Sequence, residues 1–161
     1  MKNIILFLFV SFSSFSFVLA QSDATANKEL AKPTSDLATV YFYRVKEVNG
    51  LDNRNTKVKI EGKETFRMPQ HRFIGLRLAP GKYGLMLRQK QSEMLLTVES
   101  GKTYFIRVSE KLAGFGFNQS LTEMPEEQAI YQMRDIPILE DSKIRDKTAD
   151  FVKDKPIFKK E

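Results

Sequence analysis

Short runs of apolar residues that alternate with polar residues follow one another from residue 38 to residue 109. Such alternation is typical of β-strands that bury only one face. Glycine, proline, asparagine and aspartate separate the runs, as they do in antiparallel all-β domains. The pattern predicts seven strands, at residues 39–45, 56–60, 64–67, 72–78, 83–88, 94–99 and 103–109.

The same alternation predicts which side chains face the interior. In residues 56–60, Val58 and Ile60 alternate with two lysines, so the two apolar side chains lie on one face. Applied to each strand in turn, this rule predicts a core. Its members are Val40 (or Phe42), Val58, Ile60, Ile74, Leu76, Leu78, Leu85, Leu87, Leu96, Val98, Ile106 and Val108.

Two connections between strands predict pairing. Pro80-Gly81 suits the central positions of a type II turn, because proline presets φ near about −65° and glycine tolerates a positive φ. The sequence therefore predicts a hairpin over residues 74–87. Residues 94–99 and 103–109 are predicted to form a second pair across Ser100-Gly101-Lys102.

The β pattern ends after Ser109, and the remaining chain favours helices. Pro125 begins a predicted helix whose first turn carries Glu126 and Glu127, where carboxylates stabilise the positive end of the helix dipole. Its apolar stripe is Ala129, Ile130 and Met133. A second helix is predicted over residues 142–153, with Ile144, Thr148, Phe151 and Val152 along one side.

The first twenty residues predict export. A basic start precedes an apolar run over residues 4–19, and small residues near Ala20 suit a cleavage site, as in a secretory signal peptide. An uncut signal would anchor the chain, but its serines and short apolar run favour cleavage. The predicted organisation is a signal peptide (1–20), a flexible leader (21–37), a β-sandwich domain (38–135, with a helix near 125–134), and a C-terminal helix and basic tail (136–161). The predicted location is the periplasm or the exterior, with no stable membrane span after cleavage.

Composition narrows the chemistry of the chain. Its 161 residues include no cysteine and one histidine, His71. Thiol catalysis, thiolate zinc sites and multi-histidine metal sites are therefore excluded, and we expect no catalytic residue, cofactor or metal. The formal net charge of +6 favours an anionic partner. Export and the lack of a nucleic-acid motif argue against nucleic acid as that partner.

One repeated motif predicts a binding patch. The sequence YFYRV at residues 41–45 recurs almost unchanged as YFIRV at residues 104–108. Alternation places Arg44 and Arg107 on equivalent faces, where together with Tyr43 and His71 they could bind an anionic or carbohydrate ligand through hydrogen bonds and stacking. The alternative is structural: two strands of one sheet share a pattern that suits packing, with arginine stems covering apolar surface.

Three segments resemble a family of exported bacterial proteins defined only as a domain of unknown function, many of whose members are lipoproteins. They are residues 38–44 (ATVYFYR), 78–83 (LAPGKY) and 98–107 (VESGKTYFIR), and the similarity covers about residues 38–133. The resemblance implies a prealbumin-like (transthyretin-like) β-sandwich and brings no catalytic residues. The chain lacks the lipidation cysteine of the lipoprotein members.

Together these observations predict a mainly β protein: an antiparallel sandwich of about seven strands with one or two C-terminal α-helices. The predicted function is a non-catalytic envelope or secreted module that binds another protein, for example by β-augmentation at an edge strand, or an anionic cell-surface polymer. The alternative is a small-ligand-binding or hydrolytic domain centred on Arg44 and Arg107. A pocket that gathers these arginines with Tyr43 and His71 would favour the alternative.

Overall fold

The computed structural model describes residues 36–47, 54–88, 92–113 and 116–156, so the predicted signal peptide and most of the leader lie outside the described residues. Within these ranges the chain forms nine strands and one α-helix. Eight strands precede the helix and one follows it. The strands are β1 (Ala38–Arg44), β2 (Thr56–Ile60), β3 (Lys63–Met68), β4 (Arg72–Leu78), β5 (Gly81–Met86), β6 (Glu93–Val98), β7 (Thr103–Ala113), β8 (Gly116–Glu123) and β9 (Phe151–Val152). The helix α1 spans Glu126–Met133, and a short 3-10 helix lies at Asp141–Lys143.

The strands form two sheets that face each other across a common core. Sheet A has the order β8-β7-β1-β4-β9, and sheet B has the order β3-β2-β5-β6. The predicted mainly β sandwich is therefore confirmed, with nine described strands instead of about seven. Neighbouring strands are antiparallel except β1 and β7, which run parallel. Parallel neighbours require a long crossover connection, and here the chain from β2 to β6 supplies it.

The core lies where the two-residue repeat predicts it. Every predicted core residue belongs to the cluster between the sheets, with Leu78 at its partly buried margin. Val40 and Phe42 are both buried, because residues two apart on β1 share a face. Burying one such side chain stabilises the fold by roughly 1.5–3 kcal/mol, so the two inner faces hold the sheets together.

The connection between β2 and β3 is a tight turn. Glu61 and Gly62 have φ values of 50° and 76°. A positive φ at both central positions is the geometry of a type I′ turn, whose twist matches that of the flanking strands.

The two predicted strand pairings are wrong. β4 lies in sheet A and β5 in sheet B, so the chain crosses between the sheets at Pro80-Gly81. Gly81 has a φ of 159°, which is extended, whereas a type II turn requires about 80°. β6 and β7 also lie in different sheets. Alternation indicates which face of a strand is buried but not which strand lies beside it, and both arrangements bury the same leucines.

The β structure continues beyond Ser109, where the predicted pattern ends. β7 extends to Ala113 and pairs with β8, which the sequence analysis did not predict. The middle of β8 is Asn118-Gln119-Ser120, in which Gln119 is the buried residue. A glutamine at the central inward position interrupts the apolar alternation, although Leu121 two residues later packs against the core, and this explains why the pattern missed the strand.

The predicted helix near residues 125–134 is confirmed as α1. Ala129 and Met133 are buried, and Ile130 packs beside them. They cover the outer face of sheet A, where they form a second apolar cluster with aromatic residues. Those residues are Tyr41, Tyr43, Phe73 and Phe105. The outer face of sheet A is therefore occupied by the chain's own helix.

The second predicted helix, over residues 142–153, is wrong. After the 3-10 helix, Ile144 forms a β-bridge with Phe66, and β9 pairs with β4. The backbone N–H groups of Arg145 and Asp146 both donate to the Thr65 carbonyl, and Asp146 Oδ1 accepts from the N–H and hydroxyl of Thr148. These local bonds satisfy the backbone outside a helix. Of the residues that suggested a helical face, Ile144 and Phe151 pack into the core between the sheets.

This C-terminal segment, residues 136–156, pairs with the edges of both sheets. Its bridge at Ile144 lies along β3, and β9 lies along β4. Lys63 Nζ at the start of β3 lies 2.7 Å from Asp146 Oδ2. That contact and the bonds from Thr148 lower the pKa of Asp146 to about 2. The edges of β3 and β4 are therefore occupied by the same chain.

We predict that Gly75→Ala destabilises the protein by about 1–3 kcal/mol through overpacking. A Cβ at this position of β4 would lie 2.9 Å from both Tyr41 Cε1 and Val152 Cβ. Urea unfolding measures the effect. Gly84→Ala is the matched control, since a Cβ there meets Glu61 Oε1 at an ordinary 3.5 Å. Equal unfolding free energies for the two variants would contradict the prediction.

Candidate functional site: the open face of sheet B

The structure separates the four residues predicted to form a binding patch. In the parallel register of β1 and β7, Tyr43 pairs with Arg107 and Phe42 pairs with Ile106. Arg44 therefore points to the interior of the sandwich, whereas Arg107 lies on the outer face of sheet A. The prediction that the two arginines share one exposed face is wrong. The repeat suggested that the two arginines occupy equivalent positions in their strands. In the observed register Tyr41 pairs with Phe105, so the two motifs are shifted by one residue relative to each other.

Arg44 is fully buried and forms an ion pair inside the sandwich. Its Nη2 lies 3.3 Å from Glu110 Oε2, and its Nη1 donates to Thr56 Oγ1 at 2.8 Å and to the Arg54 carbonyl at 3.1 Å. The Thr56 hydroxyl in turn donates to Glu110 Oε2 at 2.8 Å, and Gln119 Nε2 donates to Glu110 Oε1 at 3.0 Å. The network joins β1, β2, β7 and β8, and so links the two sheets.

Glu110, Thr56 and Gln119 were not among the predicted site residues, although the sequence carries a signal for Glu110. Glu110 continues the inward series of Ile106 and Val108, just as Arg44 continues that of Val40 and Phe42. Opposite charges at inward positions of two strands predict a buried pair, since an isolated buried charge is strongly unfavourable. In this fold Arg44 therefore neutralises the buried carboxylate of Glu110.

Tyr43 and Arg107 lie together on the outer face of sheet A. Tyr43 is buried beneath α1, and its hydroxyl donates to Gln132 Oε1 at 2.9 Å. Burial raises the pKa of Tyr43 to about 12, although the nearby Arg107 charge acts in the opposite direction. Arg107 is half-buried, and its Nε has no hydrogen-bond partner among the described residues. Tyr43 is thus covered by the helix, whereas Arg107 stays partly exposed.

His71 lies apart from that pair, in the turn between β3 and β4. It has a positive φ of 56°, and its carbonyl accepts a hydrogen bond from Arg72 Nη1 at 2.8 Å. A shallow cavity of about 240 Å³ is lined in the described chain by Glu127, Ile130, Tyr131 and Arg134 of the α1 region, and by none of the four predicted residues. The described residues therefore form no pocket that gathers Tyr43, Arg44, Arg107 and His71.

The outer face of sheet B is basic, and no described helix covers it as α1 covers that of sheet A. In β2, Lys57 and Lys59 alternate with the buried Thr56, Val58 and Ile60 and so point outward. Lys57 pairs with Arg67 of β3 across the sheet, and Lys82 lies on the same face of β5, two positions from Gly84. We call these four outward cations, Lys57, Lys59, Arg67 and Lys82, the basic face.

The charges of the basic face are only partly balanced. Arg67 Nε lies 2.6 Å from Glu64 Oε1, and Lys57 Nζ lies 3.5 Å from Glu64 Oε2. The hydrogen bond from Arg67 lowers the pKa of Glu64, which favours the ionised carboxylate. In the described residues, Lys59 and Lys82 form no ion pair. The face therefore keeps an excess of positive charge available to an anionic ligand.

The edge strand β6 adds apolar and acidic residues to the same side. Leu95 faces Gly84 across the sheet and is 68% exposed, and Glu93 lies two residues before it. The result is a pleated surface that carries cations on β3, β2 and β5 and an apolar and an acidic residue on β6. Chemically, such a surface can bind and orient negative charge over several strands at once.

Within the described residues, no three acidic or histidine side chains are placed to hold a metal ion. Nor does any described helix have the length and apolar character required to cross a membrane.

A family model described as "Protein of unknown function (DUF2846)" matches residues 34–120. The match spans more than half of the chain, from the residues just before β1 into β8, and the chain belongs to this family. The expected membership in a domain-of-unknown-function family is thus confirmed. No curated protein and no solved structure shows a significant match to the chain.

We predict that Glu110→Ala destabilises the protein by about 3–5 kcal/mol, because it leaves the Arg44 guanidinium buried without its carboxylate. The double variant Arg44→Met/Glu110→Leu should recover much of that loss, since it removes both charges while keeping volume. Urea unfolding at neutral pH measures both. The control Glu99→Ala breaks an exposed pair with Lys102 and should change little. Equal losses in Glu110→Ala and Glu99→Ala would contradict a role for the buried pair.

We predict that stability falls as the pH rises from about 10 toward 12, with Tyr43 contributing. Its pKa is raised to about 12 in the folded protein against 10.0 for the ordinary phenol. The unfolded chain therefore loses this proton first, and each pH unit in that window costs about 1.4 kcal/mol. Urea unfolding from pH 8 to 11 should show a shallower slope for Tyr43→Phe than for the wild type. Tyr131→Phe, at an exposed tyrosine, should keep the wild-type slope, and identical slopes in all three would contradict the assignment.

Proposed function

We propose that the protein is a non-catalytic, exported binding module that holds an anionic surface polymer on the basic face of sheet B. The observation that carries the proposal is the excess of outward cations on a sheet face that no described helix covers. Two of these cations, Lys59 and Lys82, form no ion pair within the described residues. Export is supported by the signal-peptide pattern in the first twenty residues.

The pleated sheet suits this task because it fixes the cations before the ligand arrives. Neighbouring strands lie about 4.8 Å apart, so charged groups on β3, β2 and β5 are displayed at regular intervals. Ordering flexible side chains on binding costs free energy, and this cost is smaller where lysine stems already lie along a packed surface. A polymer with closely spaced negative groups can contact several cations together.

The other elements restrict the routes to a partner on the β3 and β4 sides of the sandwich. The C-terminal segment already lies along β3 and β4, and α1 covers the outer face of sheet A. The alternative of a small-ligand or hydrolytic site at Arg44 and Arg107 has less support, since Arg44 is buried against Glu110. A non-catalytic role accords with the separation of the candidate site residues.

We predict that the mature protein binds dextran sulfate and not neutral dextran, and that binding weakens as salt is raised. The variant Lys59→Glu/Lys82→Glu should weaken binding at least about tenfold, since two attractive charges become repulsive on the contact face. Titration calorimetry with protein recovered from the exported fraction measures both. An intact mass that begins at Gln21 is expected for this material.

The matched control is Lys111→Glu/Arg134→Glu, which makes the same change in net charge at exposed residues of β7 and of the end of α1, on the sheet A side of the sandwich. It should lose far less affinity than the Lys59→Glu/Lys82→Glu variant. Equal losses would mean that only net charge matters, and would overturn the assignment to this face. Failure of the wild type to bind dextran sulfate would overturn the proposed function itself.

A further inference from the structure

One carboxylate on the basic face contacts three cations. Arg67 Nε lies 2.6 Å and Arg145 Nε 3.9 Å from Glu64 Oε1, and Lys57 Nζ lies 3.5 Å from Glu64 Oε2. We call Glu64, Lys57, Arg67 and Arg145 the Glu64 cluster. Glu64 is 25% exposed and the three cations are between 36% and 43% exposed, so the cluster is open to a ligand. One negative charge against three positive charges leaves the cluster cationic.

The position of Glu64 makes it an internal competitor for any anionic ligand. It already supplies a carboxylate to the cations, and its tether to β3 gives it a high effective concentration there. An incoming carboxylate offers the same chemistry but must also give up translational freedom. A carboxylate polymer is therefore at a disadvantage at this cluster.

A phosphate monoester differs from a carboxylate in the two properties that matter here. It carries a charge of about −1.5 to −2 at neutral pH and three acceptor oxygens. Two of those oxygens can accept from one guanidinium fork while the third reaches an ammonium group. Such a group can contact Arg67, Arg145 and Lys57 together. It thereby balances the positive charge that the single carboxylate of Glu64 does not neutralise.

Resting on the proposed function, we infer that the polymer held on the basic face bears phosphate groups, and that Glu64 selects these groups against carboxylates. Glu64 is in this view a specificity-determining residue. The pKa of Glu64 is lowered mainly by the hydrogen bond from Arg67, so the carboxylate stays charged under the conditions in which a phosphate binds. Lys59, the register partner of Glu64 on β2, adds attraction without contacting the carboxylate.

The test compares phosphorylated dextran with carboxymethyl dextran of the same chain length and degree of substitution. The wild type should bind the phosphorylated polymer at least about tenfold more tightly, a difference of about 1.4 kcal/mol. Glu64→Gln should bind both polymers more tightly but gain more for the carboxymethyl polymer, so that the preference falls to within about threefold. Titration calorimetry at fixed ionic strength measures all four affinities.

The control is Glu93→Gln, which removes one negative charge from the same side of sheet B at an exposed residue with no ion pair in the described chain. It should raise both affinities alike and keep the wild-type preference. If Glu64→Gln and Glu93→Gln behave alike, or if the wild type binds both polymers equally, the inference is wrong. Binding of dextran sulfate without binding of phosphorylated dextran would also overturn the inference while leaving the proposed function intact.

A lipid could supply the same phosphate chemistry, and vesicles distinguish that source. Vesicles of phosphatidylglycerol in phosphatidylcholine should bind the wild type more weakly than phosphorylated dextran at equal phosphate concentration. The opposite result would be tighter binding to the vesicles that is lost in Leu95→Ser, at the exposed leucine of β6. It would identify a membrane surface, and not a polymer, as the ligand and so overturn the inference.

Discussion

Burial of one face of each sheet against the other is the constraint on which the rest of the structure depends. In a strand, successive side chains point to opposite faces, so the choice of an inward set forces its neighbours outward. A slip of one residue would expose the whole apolar set and bury its polar partners. The inward placement of Val58 and Ile60 thus forces Lys57 and Lys59 to the surface, and the inward placement of Phe42 forces Tyr41 and Tyr43 to the opposite face.

The two outer faces that result differ in composition, and only that of sheet A is covered by a described helix. That of sheet A carries aromatic residues, among them Tyr41 and Phe105, whose rings stack at 5.6 Å. Such a surface is unfavourable in water, and α1 covers it with Ala129 and Met133. That of sheet B carries lysine and arginine, which water solvates well, and it needs no cover. The asymmetry of composition therefore decides which side of the sandwich remains available to a partner.

The buried pair of Arg44 and Glu110 adds a requirement for correct assembly. Moving two charges out of water costs several kcal/mol, and their attraction offsets that cost only when the geometry and the surrounding hydrogen bonds are good. Here Thr56 from sheet B bridges the two charged groups of sheet A. The network forms only when both sheets meet in one register. Even then Arg44 Nε and Gln119 Oε1 have no hydrogen-bond partner among the described residues, so the bonds offset only part of the cost of burying the two charges.

The sequence by itself determined the local features: the bounds of β2 and β4, the inward residues of most of the predicted strands, the helix after Pro125 and the outward lysines of β2. These follow from the two-residue repeat and from helix-start chemistry, which involve near neighbours only. Only the tertiary structure decided that Pro80-Gly81 crosses between sheets, that Gln119 belongs to an inward strand position, and that residues 142–156 pair with sheet edges. It alone placed Arg44 and Arg107 on opposite faces and brought Arg145 to Glu64. Those outcomes depend on contacts between residues far apart in the chain, and an alternating pattern buries the same side chains whichever strand lies beside it.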